Sequence, residues 1–348
     1  METTARTRLS LPPLVFGSGC LGNMLVASSD ETKRDIVQSW VASMKAPIVI
    51  DSAGKYGAGL ALEVIGRELQ NAGVDPADVI ISNKLGWRRT PLTGSEPTFE
   101  PGVWKDLKHD AAQDISGQGI RRCWEEGNEL LGRYQTSLLS VHDPDEYLAA
   151  ARNKEERAKR FADVLEAYEV LAEIRDEHDL DGVGIGCKDW RVVQELNEHV
   201  AFDWVMIANS LTIMSHPSEL LRFLALLKDN GVAVVNSAVL HGGFLVGGDF
   251  CDYKPIDPSN PDHAAKLDWR SRFSSICNEH QVNLFQAAVA FATAHDAITS
   301  IALSSSEPRR TPSMVDAVHA KLPREFWLSL IAEELIRDEP SIIGKLLA

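Results

Sequence analysis

Four side chains able to carry proton chemistry stand at or just beyond the ends of successive apolar runs. Asp51 and Tyr56 follow the run 48–50, Lys84 closes the run beginning at 79, and His142 closes the run beginning at 137. A phenol with a pKa near ~10 is a poor acid or base at neutral pH, but a neighbouring ammonium group favours its phenolate form. If the four meet, Asp51 pairs with Lys84, Lys84 activates Tyr56, and His142 orients a carbonyl or hydroxyl oxygen. Such a set gives or takes a proton at oxygen while another agent moves a hydride. A polar residue that ends a strand before glycine is most often just part of a turn. The chemistry therefore depends on what brings the four together.

The elements that must do so alternate along the chain. Short apolar runs at 14–17, 48–50, 79–84, 137–142, 182–187, 204–208, 232–235 and 298–303 have the length and continuity of strands buried on both faces. Helical spacing follows, as in Ala61, Val64, Ile65, Leu69 and Ala72, and in Leu220, Leu224 and Leu227. Asp30 reads as the cap of a helix whose inner face holds Ile36, Val37, Trp40 and Val41. Eight strands, each with a helix, predict a (β/α)8 TIM barrel formed by a single domain over 1–348, with an open doubly wound sheet as the structural rival. In a barrel the carboxyl ends of strands two, three and four are neighbours, so Asp51, Tyr56, Lys84 and His142 converge on one mouth. Residues 86–116, rich in Pro and Gly, read as a long loop over that mouth, and 324–348 as a C-terminal helical extension.

Composition narrows the partners. A formal charge of −15 disfavours nucleic acid and anionic membrane surfaces, so an anionic ligand needs local basic groups. Five scattered cysteines without metal-type or redox-type spacing fit reduced thiols in a cytoplasm. The first eleven residues carry Arg6 and Arg8 but no apolar segment of a targeting signal, and no run is long enough to span a bilayer. Gly182, Gly184 and Gly186 imitate a dinucleotide fingerprint, but its third glycine would fall on Cys187. Tight packing is the better account of them. Asp143 and Asp145 beside His142 invite a metal, yet no second histidine or carboxylate cluster completes a site, and none is expected.

The sequence Asp51-Ser-Ala-Gly-Lys-Tyr56-Gly, with Asn83-Lys84-Leu-Gly and Val141-His142, resembles the aldo/keto reductase family over nearly the whole chain, most closely its branch of aldose dehydrogenases acting on L-fucose, L-galactose and related sugars, with pyridoxal dehydrogenase nearby. The resemblance implies NADP or NAD as cofactor, a small sugar or carbonyl substrate, and Asp51, Tyr56, Lys84 and His142 as the catalytic set. It also implies cofactor contacts from Gly17, Ser18, Asn209, Asn236, Ser237, Gly242, Gly243, Ser304, Ser306 and Arg310. Trp87 is expected to wall the substrate pocket, and His241 to lie where the family passes its pyrophosphate. Departures occur where the family binds the carboxamide and adenine: Cys187 and Asp316-Ala317 replace the usual residues, and Asn209 is the available substitute. Two rivals are a cofactor-binding regulatory subunit with little turnover and a metal-dependent barrel hydrolase using His142 and its aspartates.

Overall fold

A computed structural model describes residues 9–252 and 254–348; residues 1–8, with Arg6 and Arg8, lie outside the described residues. Eight parallel strands close into a barrel: β1 (Leu14–Gly17), β2 (Ile48–Ala53), β3 (Val79–Leu85), β4 (Leu138–His142), β5 (Gly182–Cys187), β6 (Trp204–Ala208), β7 (Ala233–Ser237) and β8 (Ile298–Leu303). Each pairs with its sequence neighbour, and β8 closes on β1 through Leu14 opposite Ile301. The open-sheet rival is thereby set aside.

Side-chain alternation along these strands decides what enters the barrel. In β2, Ile48 and Ile50 pack outward against helices while Val49 joins the interior cluster with Val15, Leu138, Trp204, Met206 and Val235. Asp51, two residues beyond Val49, therefore points inward. The same parity applies to Lys84 beyond Ile80 and to His142 beyond Leu138. Register completes the placement: Gly17 lies opposite Asp51, Asp51 opposite Ser82, Ala53 opposite Lys84, and His142 opposite Gly186.

The three alternating glycines of β5 share the inward parity of Lys84 and His142, and the space beside two of them is already taken. A Cβ on Gly184 would stand 2.4 Å from the Trp204 ring, and one on Gly186 would stand 2.6 Å from Lys84 Cδ. These glycines make room for an indole and for the stem of Lys84, which explains the pattern without a dinucleotide loop.

The surrounding helices are close to expectation, with one shift of cap. Helix Asp30–Ser43 is capped by Ser29, whose Oγ accepts from Thr32 N–H, so Asp30 opens the first turn instead of capping it. An acidic residue there complements the helix dipole. The loop 86–116 is more ordered than its composition suggests: Trp87–Pro91 and His109–Gln113 form an antiparallel hairpin, and Phe99, Trp104, Leu107 and Ala111 make a small core with Ala58. Helices Arg324–Ala332 and Pro340–Leu346 form the C-terminal extension. Among the described residues, no helix is long and apolar enough to cross a membrane.

Candidate active site

At the carboxyl-terminal mouth of the barrel opens a cavity of about 530 Å³, the face on which this architecture carries its chemistry. Asp51, Tyr56, Lys84 and His142 all line it. Lys84 Nζ lies 2.5 Å from Asp51 Oδ2, with both side chains buried, and Ser82 Oγ donates to the other carboxylate oxygen at 3.2 Å. A buried ion pair holds its members in place because losing either leaves an uncompensated charge. The same ammonium stands 4.9 Å from the centroid of the Tyr56 ring. His142 meets that ring edge-on, with centroids 5.5 Å apart at 85°.

The electrostatics of His142 follow from its neighbours. Burial, reinforced by the ammonium groups of Lys55, Lys84 and Lys188, holds its imidazole well below the ordinary range, so the ring is neutral. A neutral ring has one N–H donor and one acceptor nitrogen. Nδ1 is buried without a partner among the described residues, and Nε2 lies 3.6 Å from Asp143 Oδ2. Asp143 in turn faces Lys188 Nζ at 3.2 Å and Lys55 Nζ at 3.7 Å. Two ammonium groups thus already occupy Asp143, one of the two aspartates beside His142. The described residues do group His241, Cys251 and Asp252 closely enough for a cation, but in the loop after β7 and not at His142.

The expected cofactor residues divide by where their strands turn them. Gly17, Asn209, Ser237, Gly242, Gly243, Ser304, Ser306 and Arg310 line the cavity. Asn209 is held at φ 55 with its backbone N–H bonded to Ser237 O, and its side-chain Oδ1 is buried with no partner among the described residues. An orphaned amide oxygen at this depth suits the NH2 of a carboxamide, so the site fits a nicotinamide. Gly243, at φ 94, has nothing within 4 Å of where a Cβ would stand, which leaves the backbone open to a bulky ligand. Cys187 also lines the cavity, but burial pushes its thiol far above the ordinary range and its sulfur donates to Asp189 O at 3.2 Å.

Four expected contacts turn elsewhere. Asn236 has the outward parity of β7 and donates to Leu211 O at 2.9 Å and Ala292 O at 3.0 Å, tying the strand to its helices. Ser18 has its side chain buried outside the cavity lining, and its N–H bonds Asp51 O. Trp87 does not line the cavity; it packs on Phe99 and lies under the Lys55 ammonium, 5.0 Å from its ring centroid. Trp104 takes the wall position instead, 5.9 Å from Tyr56. His241 is engaged on both nitrogens, by Asp252 Oδ1 at 2.8 Å and Thr212 Oγ1 at 2.9 Å, which leaves neither ring nitrogen for a pyrophosphate. Arg310 lines the cavity, but Glu307 reaches it at 2.5 Å and reaches Arg309 at 2.7 Å.

Sequence reasoning passed over Lys55, Glu100, Trp104 and Lys188, all of which line the cavity. Lys55 stands inside the motif, next to Tyr56. The Glu100 and Trp104 pair has spacing i, i+4 within the loop.

Comparison with known proteins gives the family. The model of the aldo/keto reductase family matches residues 13–332. The chain is similar to pyridoxal 4-dehydrogenase of Microbacterium luteolum, at 26% identity over 95% of this chain and 96% of that protein. It is similar to D-threo-aldose 1-dehydrogenase of a Pseudomonas species at 25% identity, covering 95% and 97%. Among solved structures, the holo form of an aldo-keto reductase from Bacillus halodurans superposes with a TM-score of 0.67 at 17% identity, covering 99% of this chain and 98% of that one. The chain belongs to the aldo/keto reductase family of NAD(P)-dependent oxidoreductases.

Proposed function

We propose that this oxidoreductase interconverts an aldose, or a small aldehyde or ketone, with its oxidised or reduced partner, using Tyr56 as general acid and base. One observation carries the reading: Lys84 binds Asp51 at 2.5 Å while standing 4.9 Å from the Tyr56 ring, inside the cavity that also holds the orphaned amide of Asn209. A bound nicotinamide supplies or accepts the hydride. Every proton step then falls to the chain.

In the oxidation direction Tyr56 takes the hydroxyl proton of the substrate, and in reduction it returns a proton to the carbonyl oxygen. Lys84 presents its positive charge to the phenol, and Asp51 fixes Lys84 so that this charge is in place before substrate arrives. The neutral His142 donates a hydrogen bond to the reacting oxygen without carrying a full charge into the site. Asn209 orients the carboxamide. The resemblance in sequence to an aldose dehydrogenase and a pyridoxal dehydrogenase supports a small polar substrate.

The test is a panel of neutral aldoses, pyridoxal and simple aldehydes, offered in both directions with NAD and with NADP and followed by nicotinamide absorbance. Turnover of at least one aldose or aldehyde is expected. Dinucleotide binding with no turnover anywhere in the panel would favour a regulatory subunit and reject this reading.

A further inference from the structure

On the side of the cavity formed by Lys55, Glu100 and Asp143 lies a group of charges, buried at Lys55 and Asp143 and partly exposed at Glu100, that takes no direct part in the proton transfer. Lys55 is 3% exposed and yet lines the cavity. Its Nζ makes one strong contact, to Glu100 Oε1 at 2.7 Å, and two longer ones, to Glu146 Oε2 at 3.5 Å and Asp143 Oδ2 at 3.7 Å. An ammonium group has three donors. Glu100 is anchored from its other oxygen by Trp104 Nε1 at 2.7 Å, so its carboxylate is held in one orientation over the cavity. Two carboxylates of this group belong to residues in the left-handed region, Glu100 at φ 45 and Asp143 at φ 47. Backbone strain of this kind persists where surrounding contacts over-determine it, and it collects at ligand clamps.

We infer that Lys55 and Glu100 form a specificity pair that reads adjacent hydroxyl groups of a neutral polyhydroxylated substrate, on the part of the molecule away from the reacting carbon. This rests on the oxidoreductase reading above and deepens it. Side by side, a fixed ammonium donor and a fixed carboxylate acceptor match a vicinal diol, in which one oxygen accepts and its neighbour donates. Hydrogen bonds to charged partners are the strong ones, and a site that offers them discriminates sharply against an analogue lacking the hydroxyl. The local charge also excludes the main alternative. Lys55 and Lys188, the two cations of this wall among the described residues, are already ion-paired with Glu100, Asp143 and Glu146, so neither is left over for a carboxylate on the substrate. A neutral sugar fits this wall, and its acid does not.

The experiment compares a neutral hexose, the corresponding uronic acid and butanal as substrates of the wild type, Glu100→Gln and Lys55→Met. Glu100→Gln is the primary variant because it keeps the shape, whereas Lys55→Met leaves three carboxylates without their shared cation. Hexose affinity is measured separately by tryptophan fluorescence in the presence of dinucleotide. The expected result is a loss of kcat/KM for the hexose that exceeds the loss for butanal by roughly ten- to a hundredfold, seated mainly in KM. Hexose affinity should fall in parallel, and the preference for hexose over uronic acid should shrink in Glu100→Gln. Equal losses on hexose and butanal, or no loss on either, would reduce the pair to a clamp on the loop and overturn the inference. Absent turnover with all three substrates, alongside hexose binding that weakens in both variants, would instead reject the oxidoreductase reading and leave the pair's role standing.

Discussion

Gly186→Ala tests whether the position of Lys84, and not its presence alone, governs the reaction. Gly186 is not at positive φ, so alanine suits its backbone and the effect is steric. The new Cβ would lie 2.6 Å from Lys84 Cδ, whereas ordinary van der Waals contact begins at 3.4 Å, so the lysine stem must retreat by 3.4 − 2.6, about 0.8 Å. Cδ is in the middle of the side chain, and Nζ beyond it is held by Asp51 at 2.5 Å. The stem therefore cannot swing away without pulling the ammonium from either Asp51 or the Tyr56 ring. Overpacking of this size costs about 1–3 kcal/mol, and a misplacement near 1 Å in a catalytic group can cost ~10²-fold in rate. Turnover is read by nicotinamide absorbance on the best substrate of the panel, with thermal denaturation in parallel. Gly184→Ala, whose Cβ would meet the Trp204 ring at 2.4 Å, is the control, since it loads the barrel interior away from the lysine. A Gly186→Ala enzyme that folds and turns over like the wild type would refute the reasoning.

Two further outcomes follow from charge. His216 donates through Nδ1 to Thr212 O and accepts Arg337 N–H at Nε2, and burial lowers its pKa to about 4. The unfolded chain therefore binds this proton first, near pH ~6.5. Stability is lost as pH falls from there to about 4, by an amount on the order of 3 kcal/mol, and is constant in this respect above it. Urea midpoints at pH 7 and pH 4.5 check it: His216→Gln should be less stable at pH 7 but fall less on acidification, and an unchanged acid slope would contradict the assignment. The second outcome concerns cofactor choice. Arg310→Ala is expected to weaken NADP binding by roughly 1.5–3 kcal/mol and NAD binding little, while Glu307→Gln, which frees both arginines, should strengthen NADP. Equal losses for the two cofactors in Arg310→Ala would make that residue a support of the loop.

The barrel was legible because each strand is a short apolar run and each helix keeps its spacing, and both signals survive in a single sequence. The convergence of Asp51, Lys84 and His142 was legible for a related reason, since strand parity and neighbouring register leave them little freedom. Neighbouring residues that alternation turns to opposite faces at a strand's end were harder to read. Asn236 and Ser237 are adjacent, but only Ser237 faces the cavity while Asn236 serves two helix carbonyls. Trp87 and Trp104 belong to the same loop, and nothing in its polar composition revealed the hairpin that turns one away and brings the other to Tyr56. Glu307 was visible next to the arginines, whereas its ion pairs with both of them depend on the turn Pro308–Arg310.

The central claim is that Tyr56 exchanges the proton with the substrate oxygen, and Tyr56→Phe addresses it most directly because it removes the hydroxyl and keeps the ring that packs on His142 and Trp104. Steady-state turnover of the best substrate is measured in both directions, with dinucleotide affinity determined on the same protein by fluorescence titration. The account predicts a fall in turnover of ~10²-fold or more, as for a lost general acid, with dinucleotide affinity close to that of the wild type. Near-normal turnover with intact binding would contradict it.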